Sequence, residues 1–252
     1  QYLEPRTKNI LDAINQELLD PAIAELKKRG QAGLIAIVDN LDRVLPNPKS
    51  GGRSQPEYLF VDRGEQLKRL NCHVIYTIPL MLAFSDELPI LMNRFGVRPS
   101  VLTMVPVKNL DGQLNETSLA KLRQMVMARA FPDLSEGDRL QQIPEIFDAP
   151  TTLDRLCLIS GGHVRDLLRL LNGWVRKGRT FPLKQEKLEE VIRARRNEMT
   201  LQLSTDEWAL LRQVRQQQKK VGGDDDYQRL IHSRLVFEYR DQGESWFDVN
   251  PI

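Results

Sequence analysis

Cysteine and histidine are scarce in this sequence, and their scarcity excludes several kinds of site. The two cysteines, Cys72 and Cys157, lie in separate apolar neighbourhoods and make neither a disulfide framework nor a metal site. The three histidines, His73, His163 and His232, are scattered without the spacing of metal ligands. We therefore expect neither a disulfide-stapled fold nor a structural zinc centre.

Long apolar runs and a strong net charge are also absent. The longest apolar runs, such as residues 34–38, are far too short to cross a bilayer, and no signal segment opens the chain. We therefore expect a cytoplasmic protein that does not enter the membrane. The net charge of +2 neither demands nor excludes a nucleic-acid partner. Because the chain starts at Gln1 rather than at methionine, we expect its natural beginning to be missing.

The first half of the sequence alternates helical patterns with short apolar runs. Helical periodicity covers residues 1–29, 57–70 and 116–130, and Asp20-Pro21 predicts a division of the first helix. The runs at 33–38, 73–77 and 101–107 predict strands, the first of them buried on both faces. Strands that alternate with helices are typical of a parallel α/β sheet.

The second half reads as helices that end in a hairpin. Residues 137–178 predict short helices, one of which starts just after Gly161-Gly162. From about Lys184 the pattern is three helices, followed by strands at 235–240 and 245–249 that are joined around residues 241–243. This is the element order of a winged helix. We therefore expect domains at 1–135, 136–180 and 181–252.

Residues 34–43 (LIAIVDNLDR) give the strongest indication of function. A buried parallel strand that ends in acidic residues brings carboxylates to the carboxyl edge of the sheet, where α/β folds bind ligands. Such a carboxylate holds Mg²⁺, directly or through water, while the metal bridges nucleotide phosphates. The alternative is a buried strand that simply runs into a polar turn.

This segment resembles the Walker B motif of AAA+ and STAND P-loop ATPases, including its DxxDR form. The resemblance implies that Asp39 is the aspartate associated with Mg²⁺. The next residue is often acidic in these ATPases and prepares the attacking water, but here it is Asn40, which puts fast hydrolysis in doubt. Asp42 is the candidate for the missing carboxylate.

Two further segments match the same family in order. Thr77, at the end of the second predicted strand, occupies the place of the sensor 1 residue, which contacts the γ-phosphate or its water. The segment at 159–168 (ISGGHVRDLL) resembles the sensor 2 element of the lid, with Gly162 in the turn and Arg165 as the arginine that reaches the nucleotide. The structural alternative for Thr77 is a β-branched residue that ends a strand. For Arg165 the alternative is a basic helix face that is exposed to solvent.

The phosphate-binding loop of this family is missing from the sequence. No G-x-x-x-x-G-K-[ST] motif occurs, although such a loop precedes Walker B in the family. Its strand also lies in the centre of the sheet, so the three predicted strands leave a gap. The resemblance therefore implies part of a three-layer parallel-sheet P-loop NTPase core, followed by a helical lid and a C-terminal winged helix. We expect either a truncation or a second chain that fills the gap.

The function implied by the resemblance is an ATP-binding regulatory ATPase that acts as a conformational switch or assembly module. ATP and Mg²⁺ are its implied cofactors, and protein partners or self-association are expected. One alternative is an initiator-like protein that binds DNA through the winged helix, although the helix before the hairpin begins with three aspartates, which would repel phosphate. The other is a nucleotide-free scaffold, which Asn40 and the missing loop favour.

Overall fold

The computed structural model describes residues 4–45, 47, 52–201, 203–218, 224–241 and 243–252. The chain divides into two compact units, Gln1–Val101 and Leu102–Ile252. The predicted domain boundaries at 135/136 and 180/181 both fall inside the second unit and stay predictions. In the part of the chain that the structure describes, no helix combines the length and the apolar content that a membrane span requires.

The first unit begins with a helix that changes its hydrogen bonding ahead of Pro21. Helix α1 (Glu4–Ile14) passes through a π-helical turn (Asn15–Leu19) into α2 (Asp20–Lys28). The segment divides into two α-helices as predicted, but Asp20 keeps helical backbone angles, so the division is not a cap at Asp20. The wider turn accommodates a proline that has no N–H to donate. Gly30 follows with a φ of 77°.

Two parallel strands form the sheet of the first unit, as predicted. Strand β1 (Ile35–Val38) pairs with β2 (His73–Tyr76) in a register that sets Ile35 opposite His73 and Val38 opposite Tyr76. The connection between them contains a 3₁₀ turn (Leu41–Arg43), α3 (Gln55–Glu57), a π-helical turn (Tyr58–Asp62) and α4 (Gly64–Leu67). A second 3₁₀ turn (Leu80–Ala83) and α5 (Leu88–Phe95) follow β2.

The two faces of this sheet have different surroundings. On one face, Tyr76 packs against a cluster that contains the buried side chains of Phe60, Leu82 and Leu91. The opposite face carries three isoleucines that are more than half exposed, Ile35, Ile37 and Ile75. The prediction that β1 is buried on both faces is therefore wrong. We call these three side chains the isoleucine face.

The third predicted strand, at residues 101–107, is not a strand. Met104 donates its backbone N–H to Glu238 O at 3.0 Å, and Val105 donates to Gly162 O at 3.3 Å. Its partners are thus single residues of the second unit rather than the β1–β2 sheet. Pro106 has no N–H with which to extend a ladder. Among the described residues the parallel sheet has two strands, so the fold is mixed α/β and rich in helix, and a three-layer core is not seen.

Helices dominate the second unit, and most of them were predicted. They are α6 (Glu116–Ala130), α7 (Glu136–Gln141), α8 (Ile143–Ile146), α9 (Pro150–Ile159) and α10 (Val164–Gly178). The α6 range matches its prediction because Asn115 accepts a hydrogen bond from the Ser118 backbone and caps the helix. Leu156, Leu167 and Trp174 lie fully buried in the core that joins these helices.

The chain ends with the predicted order of three helices and a hairpin. The helices are α11 (Gln185–Thr200), α12 (Thr205–Gln217) and α13 (Asp224–His232), and the strands are β3 (Val236–Asp241) and β4 (Glu244–Val249). The strands are antiparallel, with Tyr239 opposite Trp246. Residue 242 of the predicted turn and the side chains of 224–226 and 228 lie outside the described residues. The order agrees with a winged helix, whose assignment stays a prediction.

Candidate functional site

Asp39 and Thr77 follow the two parallel strands at the same edge of the sheet. Val38 and Tyr76, the last residues of β1 and β2, are register partners. The Thr77 backbone N–H donates to Val38 O at 3.2 Å, so the ladder continues to the point where the polar residues begin. The carboxyl edge of this sheet therefore presents the side chains that the sequence predicted there.

Asn40 turns the chain sharply away from the strand. Its φ of 66° and ψ of 8° are left-handed, a conformation that asparagine tolerates better than most residues. Its backbone N–H donates to Asp39 Oδ1 at 2.7 Å and fixes the carboxylate beside the turn. The left-handed backbone thus explains why residue 40 is an asparagine. The prediction that Asn40 orients water did not take this explanation into account.

The Thr77 hydroxyl joins the two strand ends. It accepts a hydrogen bond from the Leu41 backbone N–H at 3.2 Å and donates a long one to Asp42 Oδ1 at 3.4 Å. Asp39 and Asp42 are both exposed, so their carboxylates are open to solvent. The structure thereby brings Asp39, Asp42 and Thr77, three of the four predicted catalytic residues, together around the turn at Asn40.

The oxygen atoms at this edge suit a hard cation only in part. In the described part of the chain, no three histidine, cysteine, aspartate or glutamate side chains are grouped so that they could hold a metal ion. Mg²⁺ takes one or two carboxylates and completes its shell with water and substrate phosphates. Asp39 therefore fits Mg²⁺ that arrives with a nucleotide better than it fits a resident metal.

Gly162, predicted to bind a cofactor, lies against the backbone of its own unit. Its φ is +74°, and a Cβ atom at this position would lie 1.7 Å from Val105 O. The neighbouring Gly161, with a φ of +57°, packs against the Phe237 ring. Close packing and left-handed backbone account for both glycines, and the cofactor role of Gly162 stays a prediction.

Arg165 is exposed on the first turn of α10, among several other cations. Burial lowers the pKa of Arg234; the Asp166 carboxylate opposes that change, while the positive charges of Arg169, Arg195 and Arg165 add to it. Arg169, Arg195 and Arg234 thus surround the Asp166 carboxylate, and the charge of Arg165 adds to theirs at Arg234. This excess of positive charge gives the start of α10 a surface that would attract an anion. Gly162 and Arg165 belong to the second unit, whereas Asp39, Asp42 and Thr77 belong to the first.

No family model, curated protein or solved structure matches this chain.

The buried Asp166 and the partly buried His163 form a polar pair that the sequence analysis missed. Asp166 is 1% exposed, and its Oδ2 lies 2.8 Å from His163 Nδ1. The same nitrogen lies 3.2 Å from the Asp166 backbone N, so it accepts that N–H when it carries no proton and donates to the carboxylate when it does. The signal in the sequence was the spacing of His163 and Asp166, two polar residues that lie three positions apart at the start of a helix.

The carboxylate of this pair is held in its charged form. Burial alone would raise the pKa of Asp166, but the hydrogen bond from His163 and the positive charges of His163, Arg234 and Arg195 outweigh it, so the pKa lies below the ordinary value. The His163 ring also stacks on Phe237 at 5.6 Å. The pair therefore ties the start of α10 to the hairpin.

Proposed function

We propose that this chain supplies the Mg²⁺ side of a nucleotide site and works as part of an ATP-dependent conformational switch. The observation that carries the proposal is the meeting of Asp39, Asp42 and Thr77 at the carboxyl edge of two parallel strands. Carboxylates and a hydroxyl at such an edge are the groups that metal-bound nucleotide phosphates require.

Each residue at the edge has a distinct task in this proposal. Asp39, fixed by the Asn40 N–H, would hold Mg²⁺ directly or through a water molecule. Thr77 would use its hydroxyl to contact the terminal phosphate or a water beside it, and Asp42 would orient that hydroxyl. Bound Mg²⁺ would neutralise phosphate charge. Because the Asn40 amide is a poor base, we expect hydrolysis to be slow.

The isoleucine face supports the proposal that the site is one part of a larger one. Three apolar side chains on a single sheet face are exposed, whereas α/β folds cover both faces of a parallel sheet. The sequence also contains no phosphate-binding loop. A further polypeptide segment would both cover this face and supply the groups that hold the remaining phosphates.

Arg165 is the residue that would couple the nucleotide to a change of shape. Its guanidinium is exposed, and its positive charge acts on Arg234 together with those of Arg169 and Arg195, so a phosphate would relieve repulsion at Arg234. A contact that Arg165 makes with the γ-phosphate of ATP but not with ADP would favour one conformation of the second unit over another. This differential contact is what a nucleotide switch needs.

The test is a titration of a fluorescent ATP analogue into the chain with Mg²⁺ present. We expect weak binding that Asp39→Ala reduces by about tenfold or more, or 1.4 kcal/mol. Asp86→Ala, which removes an exposed aspartate from a turn of the same unit, is the matched control and should bind like the unchanged chain. Binding that Asp39→Ala leaves intact would contradict the assignment of the site. A complete lack of binding would contradict the proposal for this chain and favour the nucleotide-free scaffold.

A further inference from the structure

The second unit contains an open groove that plays no part in the proposed nucleotide site. Its volume is about 970 Å³, and its walls are α9, α12, the β3–β4 hairpin and the loop at residues 107–112. Apolar side chains form the floor, among them Ile159, Leu211 and Trp246. These residues are at least nine-tenths buried and belong to the packed interior, so the floor is a rigid surface.

Helix α12 contributes one continuous stripe to this groove. Trp208, Leu211, Arg212 and Arg215 line it, at spacings of three, four and seven residues from Trp208. Such spacings place side chains on one face of a helix. Trp208 is 41% exposed, which is unusual for so large an aromatic side chain. The stripe therefore offers an apolar anchor beside two cations.

The rim of the groove carries more positive than negative charge. Its cations are Lys108, Arg155, Arg212 and Arg215, and its one acidic side chain is Asp248. Arg215 pairs with Asp248 at 2.5 Å, and Arg155 pairs with Glu189 at 2.8 Å. Within the described residues, neither Lys108 nor Arg212 has an ion-pair partner. Two uncompensated cations thus face the opening above an apolar floor.

We propose that this groove binds a short acidic peptide segment of a partner protein, one that alternates carboxylates with apolar side chains. The apolar side chains would pack on Trp208 and the floor, and the carboxylates would pair with Lys108 and Arg212 at the rim. Single-stranded nucleic acid fits less well. Stacking of successive bases needs a row of open aromatic faces, and Trp208 is the groove's exposed aromatic among the residues described.

A peptide of alternating glutamate and leucine, labelled with fluorescein, is the probe for this proposal. Fluorescence anisotropy with the full chain should show saturable binding, and Arg212→Glu should weaken it by about tenfold or more. Arg176→Glu makes the same charge change at an exposed position of α10 outside the groove and should leave the affinity unchanged. Arg212→Gln serves as a milder second variant, and circular dichroism checks that each variant is folded.

Three outcomes would overturn the proposal. In the first outcome, the peptide does not bind. In the second, Arg176→Glu weakens peptide binding as much as Arg212→Glu does, which would mean that general charge attraction holds the peptide. In the third outcome, a labelled oligothymidine binds more tightly than the peptide and loses affinity with Arg212→Glu, which would make the groove a nucleic-acid site. None of these results depends on whether the chain binds ATP, so the two proposals fail separately.

Discussion

Replacing Gly162 with alanine should strongly destabilise the second unit. The added Cβ atom would lie 1.7 Å from Val105 O, so one of the two backbone segments must move. A non-glycine residue in left-handed backbone costs roughly 1–2 kcal/mol. The displacement would also break the hydrogen bond from Val105 N–H to Gly162 O, which is worth about 1 kcal/mol. Together these terms predict a loss of about 2–3 kcal/mol in the free energy of unfolding, to which the strain of the displaced backbone adds.

Urea unfolding followed by tryptophan fluorescence measures this loss directly. All three tryptophans, at positions 174, 208 and 246, lie in the second unit and report its unfolding. Gly137→Ala is the matched control: Gly137 lies in α7 with nothing within 4 Å of its would-be Cβ. Alanine there should stabilise the helix by about 0.5 kcal/mol. If Gly162→Ala unfolds within about 0.5 kcal/mol of the unchanged chain, the packing argument is wrong.

Two more predictions concern the core and the pH dependence of the second unit. Leu156→Ala, at a fully buried position, should lower the free energy of unfolding by about 2–5 kcal/mol. Leu201→Ala, at a position that is 81% exposed, is the control and should change it by less than about 0.5 kcal/mol. Equal urea midpoints for the two variants would contradict this prediction. Hydrogen bonds from Lys177 and Lys187 lower the pKa of Glu190 to about 2 from 4.5. Because its folded-state pKa is the lower one, the charged Glu190 stabilises the fold above pH 4.5, and this contribution is lost as the pH falls towards 2. The difference in urea midpoint between the unchanged chain and Glu190→Gln should therefore shrink over that range, and a constant difference would refute the assignment.

Elements with local signals were predictable from the sequence. Helix α6 begins at an asparagine cap, and the hairpin strands are neighbours in the chain, so each is specified by residues close to it. The segment at 101–107 has the composition of a strand, but its partners are Glu238 and Gly162, far along the chain. An apolar run does not reveal which backbone segment it will pair with, and so the prediction of a third strand was wrong.

The candidate site was predictable to a similar depth. The meeting of Asp39 and Thr77 followed from the rule that parallel strands end at one edge. The left-handed turn at Asn40 and the hydrogen bond from Thr77 to Asp42 depend on how the two strand ends are spaced, which composition does not encode. The pairing of Asp166 with His163 is local, but the charge of Arg234 reaches Asp166 only when a residue far along the chain folds back onto α10, so the burial of Asp166 was not predicted.

The isoleucine face has a consequence for how the chain behaves in solution. Ile35, Ile37 and Ile75 present a water-exposed hydrocarbon surface on a two-stranded ladder. Short apolar strands of this kind readily stack on their own copies when nothing else covers them. We therefore expect self-association to increase steeply with protein concentration, and a single charged residue in place of Ile37 to suppress it without altering the helices of the second unit.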